Sequence, residues 1–133
     1  MRSIEEIIES FELMDDWEDR YRVLIDLGKI LPELPDTLHR DEFLVKGCTS
    51  KVWMIPDVKS GKFTFQADSD AHIVRGLVAV LYVIFNNIPV TDILSVDVEE
   101  IFSKLGLDQN LSPNRRNGFF SMVEKIKAFG LPE

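Results

Sequence analysis

The stretch Lys51-Val52-Trp53-Met54-Ile55-Pro56-Asp57-Val58, then Lys59-Ser60-Gly61, then Lys62-Phe63-Thr64-Phe65-Gln66-Ala67-Asp68, decides the fold. Phe63, Phe65 and Ala67 alternate with polar neighbours, the period of a half-buried strand. Ser60-Gly61 between two such runs is a hairpin turn signal. Immediately after, Ser69 or Asp70 can cap a helix that runs to about Asn86. That helix is apolar nearly all round over residues 76–85, so it is expected to be central and buried. Its 10-residue apolar run is well short of the ~20 residues that span a bilayer. Upstream, residues 43–46 form a further strand candidate. The spacing therefore predicts an antiparallel meander of strands at 43–46, 51–58 and 62–68.

Helices flank this centre. Ser3 and Glu6 have capping-box spacing, with Ile4, Ile7, Ile8 and Phe11 at helical intervals. A second helix starts at Asp15 or Asp16 and carries Trp17, Tyr21, Leu24 and Leu27 as its apolar stripe. Pro32 and Pro35 stop it, and residues 32–42 read as a loop. Beyond the central helix, Asp97 and Glu100 frame a short helix that Gly106 ends. Ser112 and Pro113 open the last one, with Phe119, Met122, Val123 and Ile126 inward until Gly130. The expected class is α+β: a three-stranded antiparallel sheet with helices packed on one face, one domain over residues 1–133.

Composition narrows the function. The 133 residues are 45% hydrophobic, enough for a core, and carry a net charge of −8. An acidic balance argues against nucleic acid or an anionic membrane as partner, since phosphate binding needs basic patches. Residues 1–26 hold nine acids and three bases, whereas residues 111–133 hold four bases and two acids. Complementary fields of this kind speed encounter with a partner. One cysteine, Cys48, excludes an intrachain disulfide or a Cys-clustered metal site, and its isolation suits a reducing, cytoplasmic setting. The acidic N-terminus lacks an apolar signal core, so no secretion or mitochondrial import is expected.

Cys48 is the chemically informative residue. A lone intracellular cysteine is ordinarily a small buried hydrophobe. Cys48, however, falls between two strand candidates, flanked by Gly47, Thr49 and Ser50, outside the period-2 apolar pattern. The meander brings Asp68, Ser69, Asp70 and the start of the central helix to the same end of the sheet. The helix N-terminus would lower the thiol pKa, two carboxylates would raise it, and Arg75 would offset the carboxylates. The sequence alone does not fix the net sign.

A self-contained thiol hydrolase needs a base and an orienting group. Only His39 and His72 are available. His39, beside Arg40 and Asp41, reads as a solvated loop residue, and His72 sits in the first turn of the central helix. A peroxidase would lack a resolving cysteine. Trp53 reads as sheet packing. The Asp15-Asp16-Glu18-Asp19 cluster lacks calcium-loop spacing and reads as helix capping. Arg115 and Arg116 lie in the first turn after Pro113, the unfavourable end for cations, which leaves partner contact or a solvated face.

The ordered motifs identify a resemblance that covers nearly the whole chain. They are residues 16–21 (Asp-Trp-Glu-Asp-Arg-Tyr), Leu27-Gly28-Lys29 with Leu31-Pro32, and residues 47–53 (Gly-Cys-Thr-Ser-Lys-Val-Trp). Asp68-Ser69-Asp70-Ala71, residues 73–77, Leu105-Gly106-Leu107 and residues 111–118 follow. In this order and spacing the chain resembles the SufE family of sulfur-acceptor proteins in iron–sulfur cluster assembly. Departures are Asn110, where family members often carry His before Leu-Ser-Pro, and an apolar Phe43.

The resemblance implies a fold shared with IscU-type scaffolds. It implies that Cys48 accepts persulfide sulfur from a SufS-type cysteine desulfurase, that the chain stimulates that enzyme, and that sulfur passes to a SufB-type scaffold. The chain would then be a carrier, not an enzyme, with no resident cofactor or metal. Gly47, Ser50, Asp70 and Arg115 are expected at or near the partner-facing surface. The competing expectation is an allosteric adaptor of a pyridoxal-phosphate desulfurase in which Cys48 is incidental. The state of association, a weak homodimer included, is open at this level.

Overall fold

Two antiparallel strands, β1 (Val52–Lys59) and β2 (Lys62–Ser69), pair in register from Val52 opposite Ser69 to Lys59 opposite Lys62. Ser60 and Gly61 both have positive φ (52° and 76°), as a two-residue turn matching strand twist requires. The computed structural model describes residues 3–131. Around the hairpin lie α1 (Ile4–Glu12), α2 (Trp17–Ile30), α3 (His72–Phe85), α4 (Val98–Lys104), the single turn α5 (Leu107–Asn110) and α6 (Pro113–Lys127). A third strand, β3 (Ile88–Pro89), completes a sheet ordered β1-β2-β3, all antiparallel. The α+β class and its three-stranded antiparallel sheet are therefore as the sequence predicts.

Three local expectations need correction. Residues 43–46 do not form a strand: Asp41–Phe43 is a 3-10 turn, and Leu44 makes one isolated bridge to Trp53. Gly47, at φ +90°, turns the chain off the sheet directly afterwards. The third strand comes instead from beyond α3. Asn87 adopts φ 67° and donates its N–H to the Phe63 carbonyl at 2.6 Å, while the Asn86 side chain accepts from the Phe65 N–H. Pro89, lacking an N–H, limits β3 to an edge of two residues.

The second correction concerns the start of α3. Its N-cap is Ala71, with no side-chain cap bond, in place of Ser69 or Asp70. Both polar residues are spent on Lys51. The Ser69 hydroxyl donates to the Lys51 carbonyl at 2.8 Å, and the Asp70 carboxylate accepts from the Lys51 N–H at 3.1 Å. The other caps are as expected: Ser3, Asp16, Asp97 and Ser112 each accept a first-turn N–H, worth about 1 kcal/mol apiece.

The core is organised around α3, of which ten of 14 residues are buried. It meets β2 on one side and α2 on another. The α2 crossing is a contact of backbones. A Cβ on Gly28 would stand 2.9 Å from the Gly76 nitrogen, and a Cβ on Gly76 would collide with the Leu24 carbonyl.

On the far face of the hairpin, Asp68 holds the loop that precedes Cys48. Its Oδ2 pairs with His39 Nε2 at 2.7 Å, and its Oδ1 lies 3.4 Å from Arg75 Nε. The His39 ring stands edge-on to Trp53, with centroids 4.6 Å apart. His39 is thus a half-buried pin, not the solvated residue its neighbours suggest. The hydrogen bond to Asp68 raises its pKa above the ordinary histidine value, outweighing the opposing effect of burial.

Two outcomes follow from these contacts. Gly76→Ala should cost about 3 kcal/mol, the upper end for overpacking, in denaturant melts, since backbone lies in the way; a loss below about 1 kcal/mol would refute the crossing. A histidine with a raised folded pKa stabilises fully below its unfolded value, and that contribution fades as pH rises through the folded value. Hence His39→Gln should lower Tm more at about pH 5.5 than at about pH 8.5; equal losses would refute the charged pin.

Candidate functional site

Cys48 sits at the tip of a short excursion between Val45 and Val52. The base is closed by the Val45 N–H donating to the Val52 carbonyl at 2.8 Å. On the β1 side, Ser69 and Asp70 hold Lys51 by the bonds described above, and the Asp70 N–H also donates to the Lys51 carbonyl at 3.2 Å. Residues 46–50 are therefore anchored at both ends and free of strand pairing between them.

The tip is folded onto α6. The half-buried Cys48 thiol donates to the Gly118 carbonyl at 3.6 Å, the one hydrogen bond it makes among the described residues. Beside it is a cavity of about 30 Å³, walled by Val74 and Leu77 of α3 and Phe119 and Met122 of α6. Thr49, Ser50, Asn114 and Arg115 complete its lining. A void of this size holds about one small atom.

The Cys48 thiol pKa is shifted upward, and burial is its cause. The two carboxylates that topology brings to this end are engaged elsewhere, Asp68 with His39 and Arg75, Asp70 with the Lys51 backbone. Arg75 is correspondingly committed to Asp68. No histidine hydrogen-bonds the sulfur, and His72 is exposed at the start of α3. Among the described residues, the site has a thiol and a pocket but no base positioned beside the sulfur.

Of the positions singled out by resemblance, Cys48, Ser50 and Arg115 share the cavity lining. Gly47 is the shoulder of the loop, and Asp70 braces its exit. Arg116 turns away, its guanidinium 6.0 Å from the centre of the Phe102 ring. Sequence reasoning missed the cavity walls. Val74, Leu77 and Met122 carry only the signature of helix core faces, with nothing to say that one edge of that core stays open. Gly118 did carry a signal, being a glycine inside a helix, a position where alanine is locally better.

Among the described residues, no helix is long and apolar enough to cross a membrane, and no cluster of three or more His, Cys, Asp or Glu could hold a metal ion. Asp16 serves as the N-cap of α2, accepting from the Glu18 N–H at 2.9 Å.

Comparison with known proteins supplies the family. An uncharacterized SufE-like protein of Rhizobium etli is 47% identical over 131 residues, covering 96% of this chain and 88% of that protein. An uncharacterized SufE-like protein of Rhizobium meliloti is 45% identical over 132 residues, covering 96% and 94%. The solution structure of a hypothetical protein from Thermus thermophilus superposes with a TM-score of 0.76 over 96% of this chain and 92% of that one. At 19% identity it speaks for the fold alone. The family model described as "SufE: Fe-S metabolism associated domain" matches residues 5–129, and the chain belongs to the SufE family.

Proposed function

We propose that this chain is a sulfur acceptor whose working group is Cys48, serving a SufS-type cysteine desulfurase and a SufB-type cluster scaffold. The observation that carries the reading is the thiol itself. It is the sole cysteine, placed on a doubly anchored loop tip, over an apolar cavity large enough for about one further atom. A thiol with no base of its own suits chemistry in which another protein presents the electrophile.

The step balances as a thiol–disulfide type exchange. Cys48 loses its proton to solvent or to a group of the partner, and the thiolate attacks the outer sulfur of the donor persulfide. The donor S–S bond breaks, its electron pair leaves on the desulfurase cysteine, and Cys48 carries the new S–S bond. The outer sulfur is then open to attack by an acceptor thiol on the scaffold. In the folded-back position burial lowers the already small thiolate fraction further, which slows reaction with stray oxidants and electrophiles. The loop must therefore swing outward to react, and Arg115, Ser50 and Gly47 lie where a docked partner would meet it. Pyridoxal phosphate belongs to the partner, so the chain is a carrier and activator with no cofactor of its own. A reducing, cytoplasmic compartment fits a free thiol.

Two experiments test this. Incubation with desulfurase and sulfur-labelled cysteine should place one labelled sulfur on wild type and none on Cys48→Ser; full stimulation of the enzyme by Cys48→Ser would favour the adaptor reading instead. Amides of residues 47–50 should change their hydrogen exchange when desulfurase is added, and identical protection with and without it would refute the outward swing.

A further inference from the structure

Helix α6 bears the loop at two points, and each needs a missing or small side chain. A Cβ placed on Gly118 would stand 3.3 Å from Cys48 Sγ, 3.6 Å from its Cα and 3.7 Å from its Cβ. One turn on, Ser121 lies under Gly47: a Cβ on Gly47 would come within 2.6 Å of Ser121 Oγ. The Ser121 hydroxyl is itself turned back to donate to the Asn117 carbonyl at 2.9 Å, which keeps it low against the helix. Gly47 takes φ +90°, open to few side chains, so the backbone can lie flat on that spot.

We propose that Gly118 is a positioning residue: by lacking a Cβ it sets how deeply Cys48 withdraws, with Ser121 as the second bearing point under Gly47. The inference rests on the sulfur-acceptor reading for its purpose, not for its geometry. Gly118 stands in the interior of a 15-residue helix, where alanine would stabilise the local backbone. What it provides there is space: its carbonyl takes the thiol hydrogen bond, and its bare Cα lets the sulfur reach the walls formed by Leu77 and Met122. A methyl group at 118 would press on the sulfur at 3.3 Å, so the thiol must give, and the side away from α6 is the way open to it. Desolvation is the cause of the raised thiol pKa, so lifting should relax it. Among the described residues, Arg115 is the one charged residue lining the cavity, and it is unchanged by the substitution.

The test uses the free protein and iodoacetamide, with no desulfurase present. The rate of Cys48 alkylation is followed against pH for wild type, Gly118→Ala and Ser121→Leu, with folding checked by circular dichroism and Tm. Gly118→Ala should react about threefold faster or more at about pH 8, with its midpoint lower by about half a unit or more. Its Tm should not fall, because helix propensity improves. Smaller shifts in a folded variant overturn the proposal. Should Gly118→Ala not fold, Ser121→Leu, at a half-exposed position, carries the same expectation and the same refutation. The alkylation result can fail while label transfer to Cys48 succeeds, and the reverse, so the two readings fall separately.

Discussion

The crossing of α2 and α3 at Gly28 and Gly76 is the contact on which the rest depends. α3 is apolar nearly all round and can exist in water only if every side is covered. Two glycines in the interiors of helices each cost about 1 kcal/mol against alanine. They let the helix backbones touch, with the Leu24 carbonyl where a side chain would otherwise be. The close approach settles the rotation of α3. Its remaining faces go to the sheet, where Phe65 meets Tyr82, and to α6 and α1. Val74 and Leu77, on either side of Gly76, then become walls of the cavity beside Cys48. Helix packing and the candidate site are one construction.

The hairpin contributes the second half of that construction. Asp68 and Ser69 are neighbours in sequence and point to opposite faces of β2. Asp68 holds the segment before the loop by its pairing with His39, and Ser69 with Asp70 holds the segment after it through Lys51. Fixed ends and a lightly held tip are what a loop moving as proposed would need. The tip is retained by one weak thiol hydrogen bond and by apolar contact, neither of which belongs to the anchors.

Much of this is legible in the sequence, and what is not has a common cause. Caps at Ser3, Asp16, Asp97 and Ser112, and the turn at Ser60-Gly61, are local signals that read correctly. Ser69 and Asp70 are good caps by type, but Lys51, far away in sequence, claims both. His39 among Arg40 and Asp41 looks solvated, yet its partner Asp68 is 29 residues on. Residues 43–46 have the apolar content of a strand, but the chain must leave the sheet to seat Cys48 on α6. Ile88–Pro89 is too short for any period to show. The thiol is legible as an exception to its surroundings; its cavity is not, because the residues forming it look like ordinary core.

The same contrast explains what controls the thiol. Charge offers three levers in the sequence: two carboxylates, a helix N-terminus and Arg75. In the fold the carboxylates and Arg75 are committed elsewhere, and the upward shift of Cys48 comes from burial alone. A thiol governed by charge has a reactivity set by its distance from particular ions. A thiol governed by solvation has a reactivity fixed by depth, and depth changes with a small movement of a short loop. If Cys48 accepts sulfur, such a thiol would need no dedicated base to pass between inert and reactive. A seat for the sulfur on α6 would serve that end, and the missing side chain at Gly118 leaves the sulfur uncrowded there.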